Sequence, residues 1–222
     1  DDYARFWYTG HDGRIQPHLH KYSNWAPASL YGRYLVNQDK QLLVSLLDGF
    51  VQDYQKWIEL KGVDNGLFWQ YDVRDGMEEQ ISGGRHVKNL RPTINSYMYG
   101  NAIALANMYK LEENPGKEKY FLAKADTLKN LIQSRMWSKN SSFFETIGEN
   151  GEFANVREAI GYIPWYFNLP DEGYEIAWQQ LMDPEGFLAP FGLTTAERRH
   201  PEFRTHGCCQ CEWDGAVWPF AT

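Results

Sequence analysis

The sequence predicts an all-α fold: antiparallel helical hairpins packed into a curved or closed toroid, with long loops on one face and one small β-hairpin. Three observations predict it. Apolar residues recur at three- and four-residue spacing along most of the 222 residues, the pattern of amphipathic helices. Links within successive helix pairs are a few residues long, whereas those between pairs, roughly residues 62–91, 136–155 and 182–216, far exceed the usual loop length. The leading helix of the second pair is crowded with small and aromatic residues, as in "YMYGNAIALA", which suits an inner position. Alternating short and long links place every long loop at one end of the stack.

The first pair opens with "SNWAPASLYGRYLVNQ", where Ser23 or Asn24 can cap the helix and Pro27 is tolerated in the first turn. A residue or two later, "DKQLLVSLLDGFVQDYQKWIELK" starts at the cap Asp39. It sets Leu42, Leu43, Leu46, Leu47, Phe50, Val51, Tyr54, Trp57 and Ile58 on one stripe. The second pair is "PTINSYMYGNAIALANMYKLEE", with Pro92 in its first turn, and "KEKYFLAKADTLKNLIQSRMW", divided by "NPG". The third is "VREAIGYIPWYFNL" and "DEGYEIAWQQLM", divided by Pro170. Between the second and third pairs, "SFFETIGENGEFA" reads as a β-hairpin around Asn150-Gly151. No fixed-period repeat and no domain linker is visible, and a tetratricopeptide-type superhelix would demand shorter, more uniform loops.

Composition narrows the function. Net charge is -7 with no Lys/Arg stripe, which argues against a nucleic-acid partner. No apolar stretch approaches the roughly 18 residues of a membrane span. The start "DDYARFWYTG" lacks a signal-peptide layout, so a soluble chain is expected, periplasmic or secreted only if an export signal lies upstream. The chain carries 9 Trp, 14 Tyr and 12 Phe at a mean hydropathy of -0.59. Rings with polar rims build either an aromatic core or a cleft for amphipathic ligands such as sugars.

The first long loop concentrates chemistry. It holds Asp64, Asp72, Asp75, Glu78 and Glu79 beside Trp69, Tyr71, Arg85 and Arg91. Carboxylates among aromatics suit glycosidic cleavage, in which one protonated acid serves the leaving oxygen and a second, ionised group activates water or attacks. The same acids could instead solvate the loop, cap the next helix or pair with the two arginines. Near the other end, Cys208, Cys209 and Cys211 form C-C-x-C beside His206 and Glu212. That spacing fits no zinc ribbon or finger, so no metal is expected. A Cys-His nucleophile lacks an identifiable orienting group, which leaves wall thiols or a strained Cys208-Cys209 disulfide.

Five segments in order, "KYSNWAPASLYGRYLV", "RPTINSYMYGNA", "REAIGYIPWYFNLPD", "GLTTAERRHPEF" and "CCQCEWDGAVWPFAT", resemble the catalytic domain of six-hairpin glycosidases of the mannosylglycerate-hydrolase-like, family 63-related kind. The resemblance covers nearly the whole chain and is most specific in "RPTINSYMYG" and "WDGAVWPFAT". It implies an (α/α)6 toroid with a sugar pocket at one end, an oligosaccharide or glycoside substrate, no cofactor, and inverting hydrolysis of an α-linkage by two carboxyl groups. In such relatives the general acid lies in a segment like "GMDNS" shortly after a Trp. Here "RDGMEEQ" follows Trp69, so the match departs at the decisive position. Asp75 and Glu78 are the catalytic candidates; Asp75 is favoured, because Glu78 has an alternative use on a sugar hydroxyl or on Arg91.

Trp25, Trp69, Arg91, Asn95, Tyr97, Glu158, Trp165, Glu197, Arg198, Trp213, Asp214 and Trp218 fall at or next to the loop-rich end and are the candidate substrate-binding residues. Packing or capping is the alternative for each, most of all for Trp165. A "GCC" pair before "WDG" in relatives favours a structural role for the cysteines. Relatives begin an inner helix at "WDGxxWPFAT" and carry the catalytic base, a Glu, further on. Residues 1–222 are therefore expected to form one partial domain that lacks C-terminal hairpins, the base and some N-terminal part, and to turn over weakly alone. Two other readings stand beside hydrolysis: a non-catalytic carbohydrate-binding or scaffold piece, and an epimerase or lyase using His86 or Tyr97 as base.

Overall fold

The computed structural model describes residues 7–9 and 15–17 as backbone, and residues 20–75, 77–205 and 212–218 in full. Two short strands, β1 (Trp7–Thr9) and β2 (Ile15–Pro17), pair antiparallel. Helix α1 (Ala26–Asn37) has Trp25 at its N-cap position, one residue beyond the predicted Asn24, with Pro27 in the first turn and Asn24 Oδ1 accepting from the Ala26 amide at 3.1 Å. Helix α2 (Lys40–Lys61) is capped by Asp39, whose side chain accepts from the Leu42 amide at 3.1 Å. The stripe on α2 is buried at Leu43, Leu47, Phe50, Tyr54 and Trp57.

Two charged groups complete that stripe. Asp53 binds the ring of buried His20 at 2.8 Å, and Lys61 donates to Gln70 at 3.1 Å. A buried charge needs such a partner.

Helix α3 (Pro92–Leu111) is the centre of the molecule and is buried almost all round. Its small residues explain why neighbours approach so closely. A Cβ added at Gly100 would lie 2.1 Å from the Phe167 ring. Gly100→Ala is therefore expected to destabilise by about 1–3 kcal/mol, the usual range for overpacking; chemical denaturation measures it. Helix α4 (Pro115–Leu131), capped by Asn114 on the Lys117 amide, runs back along α3 and continues as a π-turn, Ile132–Met136. Helices α1 and α2 pack against α3 from another side.

The third predicted pair is cut short. Its first member is a 3-10 turn, Ala159–Tyr162, leading into the one-turn α5 (Ile163–Tyr166), and its second is a 3-10 segment, Glu175–Leu181. Pro164 and Pro170 remove amide donors, and Gly161 is pressed where a Cβ would lie 2.4 Å from the Phe144 carbonyl oxygen. The packing there is aromatic rather than helical. Trp165 stands edge-on to Phe144 at 5.4 Å and to Trp178 at 5.2 Å, in keeping with its core reading.

The three long links meet at one end. The first contains β3 (Trp69–Gln70) paired antiparallel with β4 (Asn89–Leu90). The second contains β5 (Trp137–Ser138) paired with β6 (Phe143–Phe144), followed by the tip at Gly151, whose φ of 79° suits glycine, and the bridge Ile147–Phe153. The third contains β7 (Leu188–Ala189) paired with β8 (Gly192–Leu193). Bridges Leu90–Ile147 and Glu158–Ala196 and the hydrogen bond from the Trp213 amide to the Glu78 carbonyl tie these links into one surface.

Candidate functional site

At that end the loop 71–91 turns back on the start of α3 and is locked by buried polar groups. Arg91, immediately before α3, is fully buried. Its Nε donates to Asp75 Oδ2 at 2.8 Å, and one Nη donates to the side-chain carbonyl oxygen of Gln80. Thr93 in the first turn donates its hydroxyl to the same Asp75 oxygen. Asp75 Oδ1 is buried without a hydrogen-bond partner among the described residues, as is Arg91 Nη1. The sequence pattern leaves Arg91 open to Glu78; its partner is Asp75.

Asp75 forms the acidic part of the wall of a cavity of about 270 Å3, which is also lined by Tyr22, Trp25, Arg74, Tyr97, Ile163 and Trp218. Among the described lining residues it is the one carboxylate. Trp25 packs on Tyr97 with ring centroids 4.7 Å apart. Burial, helped by Asp75, pushes the Tyr97 hydroxyl far above the ordinary phenol range, so it keeps its proton at neutral pH. That is the wrong direction for a base. His86, the other base candidate, is exposed and stands edge-on to Tyr71 at 5.7 Å.

Glu78 is half-buried on the same loop. Its Oε2 accepts from the Trp213 indole at 3.1 Å, and Trp213 in turn packs on Trp218 at 4.8 Å. Met77 between the two acids lines the cavity. Thus Trp25, Asp75, Tyr97 and Trp218 converge on the cavity, with Arg91, Glu78 and Trp213 directly behind or beside them.

Other candidates make bonds within the frame. Asn95 uses its side chain on backbone, accepting from the Phe68 amide and donating to the Phe68 and Arg91 carbonyls. Glu197 binds Arg157 at 2.6 Å, Asp214 binds Arg204 at 2.6 Å, and Arg198 donates to the Leu188 carbonyl. Trp69 lies under Lys61, whose Nζ is 3.7 Å from the ring centroid. Burial, with Lys88 and Arg74 nearby, lowers the Lys61 ammonium to about 8.

Glu158 is buried and accepts from the Ser82 amide at 3.1 Å and from the Ser82 hydroxyl. Burial raises its carboxyl, opposed by Arg91 and Ser82, and burial raises that of Glu145 too. Both groups hold protons more firmly folded than unfolded. Their stabilising contribution is therefore full below the ordinary carboxylate range and is lost as pH rises through the folded-state values. The Glu145→Gln, Glu158→Gln double variant should gain less stability than the parent on going from about pH 7 to about pH 5. Urea midpoints at the two pH values measure this, and equal gains would contradict it.

Cavity residues Tyr22, Ser23, Arg74, Met77, Thr93, Ala159, Ile160 and Ile163 were not among the candidates. Adjacency was the available signal, because each lies within a few residues of a candidate or inside one of the quoted motifs. A larger open groove of about 480 Å3 runs between α2 and α4, lined by Tyr54, Lys56, Glu59 and Tyr120, and shares no lining residue with the acidic loop. Among the described residues no group of three or more His, Cys, Asp or Glu could hold a metal ion. His206, Cys208, Cys209 and Cys211 lie outside the described residues. No described helix is long and apolar enough to cross a membrane.

Comparison with known proteins supplies the context for this geometry. The family model of the mannosylglycerate hydrolase MGH1-like glycoside hydrolase domain matches residues 1–222. A solved structure of a sialidase is 53% identical, with a TM-score of 0.89 over 97% of this chain, which amounts to 20% of that chain. The GH63 mannosylglycerate hydrolase from Thermus thermophilus in complex with glucose is 14% identical, with a TM-score of 0.76 over 96% of this chain and 63% of that one. The same enzyme with Tris and D-glycerate gives 14% identity and a TM-score of 0.74 over 93% of this chain and 64% of that one. No curated protein matches. The chain thus spans about a fifth of the sialidase and under two thirds of the hydrolase, and the hairpins take the helical (α/α)6 arrangement of the latter.

Proposed function

Because the chain belongs to the mannosylglycerate hydrolase MGH1-like glycoside hydrolase family, we propose that its aromatic cavity is the pocket for the sugar whose α-glycosidic bond is broken. One observation carries the reading: a sugar-sized hollow walled by Trp25, Tyr97 and Trp218, whose acidic wall group Asp75 offers one uncommitted, buried oxygen. Asp75 Oδ2 is fixed by Arg91 and Thr93; Oδ1, closed from water in the sugar-free protein, accepts from a sugar hydroxyl once the cavity wall parts around it.

Glu78 is the proton donor in this reading. It is the neighbouring carboxyl on the loop that is held by one indole N–H rather than by a guanidinium, which leaves Oε1 for the leaving oxygen. Its proton passes to the glycosidic oxygen as that C–O bond breaks. A water activated by a second carboxylate attacks the anomeric carbon from the opposite face and yields the inverted sugar. That second carboxylate comes from outside the described residues, since Asp75 is already committed to Arg91. Residues 1–222 act in this scheme as one part of a hydrolase domain.

The lone lining carboxylate is also what a binding cleft without turnover would present. A panel of α-linked glycosides, assayed with the longest form of the protein that contains this chain, separates the two. Hydrolysis that Asp75→Asn and Glu78→Gln each abolish supports the enzyme. Calorimetric binding with no turnover of any glycoside would replace it with the carbohydrate-binding reading.

A further inference from the structure

The cavity is small. Its volume of about 270 Å3 falls below the roughly 300–1,000 Å3 of pockets for drug-sized ligands and suits one sugar unit. Anything attached to that unit must leave over the rim. Ile163 lines the cavity, and Tyr166 follows it by three residues on α5, hence on the same side of that turn. Tyr166 is 69% exposed and Trp25 37% exposed, with ring centroids 6.3 Å apart at 68°. Beneath them the rings continue: Tyr97 packs on Trp25 at 4.7 Å, and Phe167 packs on Tyr97 at 6.0 Å and on Tyr166 at 4.9 Å. The pair is thus braced from inside and open outside. Scattered exposed rings are ordinary, but two in edge-to-face contact beside a cavity form an apolar corner adjoining it.

We propose that Trp25 and Tyr166 form a second sugar subsite at the rim, so that the substrate is an oligosaccharide whose next unit stacks on these rings. The inference rests on the reading of the cavity as the sugar pocket. Stacking one pyranose face would remove about 50–60 Å² of apolar ring from water, worth roughly a tenfold gain in affinity. Tyr166 contributes no group to the cleavage step, and at its exposure its truncation leaves the fold intact.

The test is a calorimetric comparison of methyl α-D-glucoside with maltose and methyl α-D-mannoside with α-1,2-mannobiose, on the longest form of the protein containing this chain. In the parent, the better-bound disaccharide should bind about tenfold more tightly than its methyl glycoside. Tyr166→Ala should remove that gain while leaving methyl glycoside affinity and the thermal midpoint unchanged, and Tyr166→Phe should retain it. A disaccharide gain that survives in Tyr166→Ala, or none in the parent, overturns the subsite. If methyl glycoside binding is still weakened by Asp75→Asn in that case, the pocket reading stands without it. A parent that binds none of the four sugars overturns both.

Discussion

Glu78→Gln should lower kcat for an α-glycoside by about 10²–10⁴-fold with little change in KM, the usual contribution of a general acid. The amide can still accept from the Trp213 indole, so the loop stays in place while the transferable proton is gone. A substrate with a good leaving group, such as a dinitrophenyl glycoside, needs no such proton. The variant should therefore lose far less rate on it, and steady-state kinetics on the two substrates read the difference. An equal loss on both would assign Glu78 to positioning instead. The same comparison in Asp75→Asn should show equal losses and a raised KM, because the proposed role of Asp75 is to bind the sugar whichever leaving group it carries.

The second large effect falls on stability. Arg91→Leu should cost about 3–5 kcal/mol, the range for removing one partner of a buried ion pair. Asp75 would remain without its guanidinium, and Gln80 would lose its donor. In a domain of this size that corresponds to a thermal midpoint lower by roughly 6–20 °C. The double variant Arg91→Leu, Asp75→Leu removes both charges and should recover much of the loss, since it is the orphaned charge that destabilises. It should nevertheless remain inactive. Calorimetric midpoints of the two variants check this, and a double variant no more stable than the single one would contradict it.

These expectations trace back unevenly to the sequence. Helices α2, α3 and α4 are readable because local signals agree. Asp39 caps and Pro92 opens, the apolar spacing of Leu43, Leu47, Phe50, Tyr54 and Trp57 marks a single buried stripe, and the break "NPG" supplies the cap Asn114 and the first-turn Pro115 of α4. The convergence of the long links is readable from their lengths alone, and the bridge Leu90–Ile147 is its physical expression. The third pair is not. Its apolar residues have helical spacing, yet Gly161 is jammed against Phe143 and the Phe144 carbonyl, and ring packing among Tyr162, Trp165 and Trp178 replaces a helical ladder.

The site is readable as a loop rather than as a set of roles. Clustering of Asp72, Asp75, Glu78 and Arg91 marks the loop that walls the cavity, but which acid takes the arginine is decided by tertiary geometry. Asp75 reaches Arg91 across 16 positions because β3 and β4 pair and bring the loop ends together. Likewise Glu197 and Asp214 look like pocket acids in sequence, and only tertiary geometry shows that they pair with Arg157 and Arg204.

The measurement that bears most directly on this account is a crystal structure of the protein with methyl α-D-glucoside or methyl α-D-mannoside bound. The ring should lie between Trp25 and Trp218 with a hydroxyl about 3 Å from Asp75 Oδ1. Sugar seated in the groove between α2 and α4 while this cavity stays empty would contradict it.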